Sequence, residues 1–323
     1  MARDEPARVA LYCNEPVCAM TSSAEPTLDA LASRDASDLP HAVRRGSPVW
    51  RQFTRHGGAV AGALLLASIA LVALCAGWWF PADPLRIVAA PEIWPFAQWQ
   101  YPLGTDALGR DIAAMLAHGA RATLAIGLVS SVVATVIGVS IGAMAAWWGG
   151  WIDEGLMRFT ELFQIVPNVV FVLTVVAILG PRIENTVIAV ALVSWPAIAR
   201  LTRAECLSFK SREFVQACRT VGLSPWRIAL REVLPNALPP VLVMGTLVVA
   251  GAILYESVVS FLGLGDPNIA SWGRQIGEGR TLIRSSLYLC AEPGLAIMLA
   301  VLALNLVGDG LNDALNPALR KKR

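Results

Sequence analysis

The chain has 323 residues, of which 55% are hydrophobic and only 15% charged, with a formal net charge of +2. A soluble domain carries about 25% charged residues. With a mean hydropathy of +0.56, much of this chain must face lipid or other membrane helices. That composition largely excludes a disordered chain, a coiled coil or a disulfide scaffold.

Residues 1–45 contrast with the rest. They hold seven acids and five bases among Pro, Ser and Ala, with no apolar periodicity. They lack the basic start, short apolar stretch and cleavage site of a signal peptide, and read as a disordered polar tail. Cys13 and Cys18 lie there without C-x-x-C spacing or a second ligand pair. The other cysteines, Cys75, Cys206, Cys218 and Cys290, are scattered. Neither a metal site nor a disulfide framework is expected.

A helix needs about 20 residues to span the hydrocarbon core. Residues 57–82 and 122–152 are uncharged throughout and supply two spans; 162–181 supplies a third. Residues 233–265 are apolar except for Glu256, and 285–308 except for Glu292. Between them lies 185–199, at 15 residues too short to rank on hydropathy. Charge placement restores it. Arg44, Arg45, Arg51 and Arg55 precede the first span. Residues 200–231 carry seven bases against two acids, and the chain ends Arg320-Lys321-Lys322-Arg323. Six crossings put all three basic blocks on the cytoplasmic side; five would strand the middle one. The expectation is an all-α membrane protein of six transmembrane helices with both termini cytoplasmic. Its parts are the tail 1–45, a first helix and external segment over 46–118, a core over 119–310, and a basic tail over 311–323.

Several chemistries are missing. No G-x-x-x-x-G-K-[ST] occurs, so the chain has no P-loop ATPase of its own. No H-E-x-x-H occurs, and none of the three histidines, His41, His56 and His118, lies deep in a span. Gly138-Val139-Ser140-Ile141-Gly142 matches the G-x-S-x-G nucleophile elbow, but in mid-membrane and far from a base. The same residues read as Gly-x-x-x-Gly, a close-packing stripe between helices. No catalytic residue is assigned.

The informative segment is 204–235, too polar for the membrane and too patterned for a linker. Phe209, Phe214, Val215, Cys218 and Val221 recur at helical spacing. Gly222 breaks that helix, and Ser224-Pro225 opens a second, expected to run from Trp226 to about Val233 and to end at Leu234-Pro235. The spacing of Gln216-Ala217-Cys218, Gly222 and Leu234-Pro235 resembles the E-A-A…G…L-P loop of ABC importer permeases, with Glu213 three residues before it. Gln216 replaces the usual Glu and Cys218 the second Ala.

Further motifs are similar to one branch of that family, the C-type permease of dipeptide and oligopeptide importers. They are Leu103-Gly104-Thr105-Asp106 followed by Gly109-Arg110-Asp111, then Gly149-Gly150 with Asp153, Trp195-Pro196, Glu256-Ser257 and Ser271-Trp272-Gly273. The resemblance covers roughly 50–320. It implies the type I importer permease fold in a bacterial inner membrane. It implies as partners a second permease in a heterodimer, one or two ATPase subunits holding ATP and Mg, an external substrate-binding protein and the lipid bilayer. No cofactor or metal is implied for this chain, and no nucleic acid. It makes Glu213, Gln216, Ala217, Cys218, Gly222, Leu234 and Pro235 the ATPase-coupling residues. The external segments 83–118 and 266–284 become contacts for the binding protein. The charges Asp106, Arg110 and Asp111 fit mutual pairing and a fixed turn as well as ligand contact. Intramembrane Glu256 fits either a structural hydrogen bond or ion pair, with Arg121 as a partner, or a pathway role. Nickel-chelate, glutathione or another small solute remains open as cargo. An ion-coupled secondary transporter, the distant alternative, would show inverted repeats and midspan acid pairs, which are not seen.

Overall fold

The computed structural model describes residues 49–315. The polar tail, with Cys13, Cys18 and His41, and the basic run Arg320-Lys321-Lys322-Arg323 lie outside them. Regular structure among the described residues is helical: α1 (Val49–Phe53), α2 (Gly57–Trp79), α3 (Ile112–Trp148), α4 (Gly150–Ile165), α5 (Asn168–Leu179), α6 (Ile183–Lys210), α7 (Glu213–Thr220), α8 (Pro225–Phe261), α9 (Trp272–Gly279) and α10 (Tyr288–Leu315).

Helices α2, α3, α6, α8 and α10 are each long and apolar enough to cross a membrane. Helices α4 and α5 pass the same test only together, and they meet at a bend of 83°; counted as one broken span they give the sixth crossing expected from the sequence. Pro167 accounts for the break, because it disfavours the helical region for the residue before it, and Val166 is extended (φ −85°, ψ 134°). The expected third span, 162–181, is therefore not one straight helix. The doubtful fourth span is longer than expected. Its helix has 28 residues and continues through the basic segment to Lys210. The polar extension is tied to α4 by a two-pronged ion pair of Arg203 with Asp153, both contacts at 2.5 Å.

Small residues set the packing, as expected where lipid removes most of the hydrophobic drive between helices. A Cβ on Gly138 would lie 2.7 Å from Ile198 Cβ and 2.8 Å from the Trp195 carbonyl oxygen; on Gly142 it would lie 2.9 Å from Thr202 Cβ. The α3–α6 contact thus needs both glycines. Ser140, between them, is spent on its own helix, donating to the Val136 carbonyl at 2.7 Å, and among the described residues it makes no hydrogen bond to a base. The glycine-stripe reading of this motif stands and the nucleophile reading falls. Three apolar clusters run down the bundle, and α8 takes part in all of them: with α2, α3, α9 and α10, with α3 and α6, and with α5 and α6. On the outside of α2, Leu64, Leu71, Leu74 and Trp78 are exposed, as a lipid-facing surface requires.

Candidate functional site: the α7 unit and the opposite cap

At the basic end of the bundle, the chain from Lys210 to α8 folds as a short amphipathic helix, a glycine turn and a return. The helical stripe expected over 209–221 is divided. Phe209 lies in the last turn of α6, which ends at Lys210; the chain turns at Ser211 and Arg212, and α7 begins at Glu213. Helix α7 closes with two overlapping turns: Leu223 N–H donates to the Cys218 carbonyl at 3.1 Å and Gly222 N–H to Arg219 at 3.0 Å. This C-cap needs a residue in the left-handed region, and Gly222 has φ +82°. Ser224 caps the next helix, accepting from Arg227 N–H at 3.4 Å, with Pro225 as its first residue. That helix does not end at Leu234-Pro235. It widens into a π-type turn over Ile228–Val233, where Leu234 N–H reaches back to Ala229, and then continues as the span. A wider turn gives the Pro235 ring the space that an ordinary helical turn denies it.

Two faces result. Val215, Ile228, Val233 and Ala237 are buried with Ala146 and Cys206, and Cys218, Leu223 and Leu234 pack partly against them. Outward lie Glu213, Phe214, Gln216, Ala217, Arg219, Val221 and Gly222, with Val221 80% exposed. The sequence-assigned residues therefore divide. Glu213, Gln216, Ala217, Gly222 and Pro235 are exposed, whereas Cys218 and Leu234 are partly buried in the unit's own support. The mounting is stiff. Lys210 Nζ donates to the last carbonyls of α3, Ala146 at 2.9 Å and Trp147 at 2.8 Å, and Trp226 meets Trp148 edge to face. The sequence showed Arg203 and Lys210 only as members of the basic block over 200–231 and Asp153 only as part of a family motif; their partners carried no sequence signal.

At the other end, the run over 103–111 is built into the fold. Thr105 is fully buried; its Oγ1 accepts from Ile93 N–H at 3.0 Å and donates to the Ala90 carbonyl at 2.7 Å. Gly104 takes φ +79°. Asp106 accepts from the backbone of Leu108 and Arg110 and from Arg110 Nε at 2.5 Å. Gly109 has φ +81° and closes the turn onto Asp106. Asp111 caps α3, accepting from Ala113 N–H at 2.9 Å. Arg110 also pairs with Glu278 of α9, which is held in turn by Arg274. Burial alone would pull the Arg110 pKa down; the Asp106 and Glu278 carboxylates more than reverse this and raise it. The segments 83–118 and 266–284, expected to be external, thus form one cap. Ser286 donates to Glu92 at 2.7 Å, Tyr288 donates to the Ile93 and Thr105 carbonyls, and Trp272 Nε1 donates to Leu116. Glu278 as the second partner of Arg110 carried no sequence signal.

Glu256 is 1% exposed. It accepts from Ser260 Oγ at 2.7 Å and Thr123 Oγ1 at 3.3 Å, with Ser271 as a third hydroxyl donor. Arg121 is exposed and forms no ion pair with it. The proposed Glu256–Arg121 pair is therefore not made, because Arg121 points off the face of α3 that packs on α8. The hydrogen-bond reading of Glu256 is the one the geometry carries.

The chain matches two family models: the binding-protein-dependent transport system inner membrane component over residues 138–321, and the N-terminal TM domain of oligopeptide transport permease C over 46–103. A di/tripeptide transport system permease protein of Pseudomonas aeruginosa is 39% identical over 84% of this chain and 91% of its own length. A dipeptide transport system permease protein of Haemophilus influenzae is 33% identical, with 88% and 100% covered. A glutathione transport system permease protein of Pectobacterium atrosepticum is 35% identical, with 84% and 90% covered. Among solved structures, a chain of the inward-facing MetNI methionine ABC transporter matches with a TM-score of 0.54 at 19% identity, covering 62% of this chain and 96% of that one. At that identity the likeness concerns the fold.

Proposed function

The chain belongs to the family of binding-protein-dependent transport system inner membrane components, the permeases of ABC importers. From that premise we propose that it forms one half of the translocation pathway of an ATP-driven importer of di- or oligopeptides. Membership places it in a bacterial inner membrane, and the named relatives are permease subunits. The observation that carries the mechanism is the α7 unit, which presents Phe214, Ala217 and Val221 outward while Val215 and Ile228 lock it to the bundle. A groove on an ATPase subunit, closing on ATP and Mg held there, would grip that face. Because Lys210, Arg203 and the Trp148–Trp226 contact tie the unit to α3, α4 and α6, movement of α7 passes into the spans rather than into a slack loop. Glu213, Gln216, Ala217 and Gly222 are the contact side of this coupling; Cys218 and Leu234 set its seat, and exposed Pro235 follows where the span continues. The pathway lies between this chain and a second, homologous permease. The cap over 83–118 and 266–284 receives the substrate-binding protein.

Gly222→Asp, or deletion of 216–222, should abolish uptake while the protein stays in the membrane. Normal uptake by either variant sinks the coupling role. Peptide cargo is supported by the two peptide permeases among the relatives, and glutathione, itself a small peptide, has a permease of nearly equal identity. Binding measurements on the cognate binding protein, with dipeptides, glutathione and a nickel chelate in turn, decide between them.

A further inference from the structure

The bend between α4 and α5 places polar side chains where a helix facing lipid should have none. Helix α5 has 12 residues, about 18 Å at 1.5 Å per residue; with Leu179 at one boundary of a core roughly 30 Å thick and the helix along the membrane normal, Asn168 at its start lies near the middle. Asn168 is exposed, and its Nδ2 donates to the hydroxyl of Tyr255 on α8 at 3.0 Å. The Tyr255 ring is packed against the cluster shared by α5, α6 and α8, so only its hydroxyl end takes part in this contact. The neighbouring Glu256, about 100° further round the helix, turns instead to Thr123 of α3 and is buried. One side of α8 at this depth is therefore sealed and the other is open.

The pair does not satisfy itself. Asn168 retains a second N–H and a carbonyl oxygen, and the Tyr255 hydroxyl retains its hydrogen. Hydrocarbon offers no partner for these groups, so polar side chains at this depth turn toward a protein interior or a water-filled cavity. Beside them, Phe159, Phe163 and Phe171 line the bend with Trp195, ring centroids 5.2 to 6.0 Å apart. Donors and acceptors next to an aromatic wall match a solute that carries both amide groups and apolar side chains.

We propose that Asn168 and Tyr255 form a contact point for the transported solute midway along the pathway, reading the amide N–H and C=O groups of a short peptide. This rests on the pathway reading above. It adds a site within the permease, where the family role requires only a passage.

The test uses the complete complex in membrane vesicles, with the six native cysteines replaced. Asn168→Cys and Tyr255→Cys should react with a membrane-impermeant maleimide, whereas Leu64→Cys on α2 should not. Trialanine delivered by the binding protein under turnover should slow the labelling. Tyr255→Phe, which keeps the ring, should lower the maximal trialanine uptake rate about fivefold, as expected for one lost hydrogen bond, while the affinity of the binding protein for trialanine is unchanged. No labelling at either cysteine, or wild-type uptake in both Tyr255→Phe and Asn168→Ala, overturns the site. If the wild-type complex takes up trialanine in those experiments, the importer reading survives the loss of the site. A wild-type complex that takes up no peptide would instead overturn the cargo reading on which the site depends.

Discussion

Gly222 shows how one residue separates backbone need from space. No atom lies within 4 Å of where its Cβ would sit, so a side chain meets no steric obstacle within this chain, and the cost lies in the left-handed backbone, about 1 kcal/mol for alanine. Gly222→Asn should transport better than Gly222→Ala, because Asn tolerates that region, with membrane levels equal by immunoblot; the reverse order would refute the C-cap account. Gly138 is the opposite case, crowded by Ile198 with ordinary backbone angles. Gly138→Leu should overpack the α3–α6 contact by about 1–3 kcal/mol or more and be read as protein missing from the membrane. Asp111 gives a pH prediction. Burial pushes its carboxyl above the usual range, against two amides that lower it. The folded protein then holds the proton more tightly than the unfolded chain does. Ionised Asp111 therefore works against folding, and that cost is relieved as pH falls from the raised value toward the ordinary carboxylate value. Asp111→Asn keeps the cap and should lose this pH dependence in thermal unfolding, whereas Asp111→Ala should lose about 1 kcal/mol of capping.

Among the elements, α7 was the most legible. Its amphipathic stripe, glycine stop and Ser-Pro restart are local features, readable from spacing because each concerns residues within a turn of one another. Two details escaped for the same reason. Whether Phe209 belongs to α6 or α7 depends on Lys210 reaching the end of α3, and whether Pro235 ends a helix depends on the turn before it widening. Both are settled by neighbours outside the local window. The Arg203–Asp153 pair makes a prediction at this scale. Arg203→Lys keeps the charge but cannot make the two-pronged contact. It should reduce uptake by loosening the α6 extension under α7, and by no more than about 1 kcal/mol in stability, since the pair is partly exposed. Stability unchanged and uptake unchanged together would show that α6 is rigid without it.

For the whole molecule, the expectation of six crossings rests on two long-range rules: a span needs enough apolar length, and basic blocks gather on one side. Reporters test the orientation those rules imply. A fluorescent protein fused after Thr220 should fold and fluoresce in the cytoplasm, and alkaline phosphatase fused after Gln98 should be active outside; the opposite pattern would invert the topology. By itself the sequence determined the membrane class, the family and the place of the α7 unit. Each of these is written in composition, in short-range spacing or in ordered motifs. Only the tertiary structure decided that Arg110 belongs to Glu278 as well as Asp106, that Glu256 is held by hydroxyls and not by Arg121, and that Asn168 meets Tyr255. Those pairings join residues between 87 and 168 positions apart. Apolar length and basic blocks require only that each helix cross; which face of one meets which face of another is set by how small residues let the helices pack.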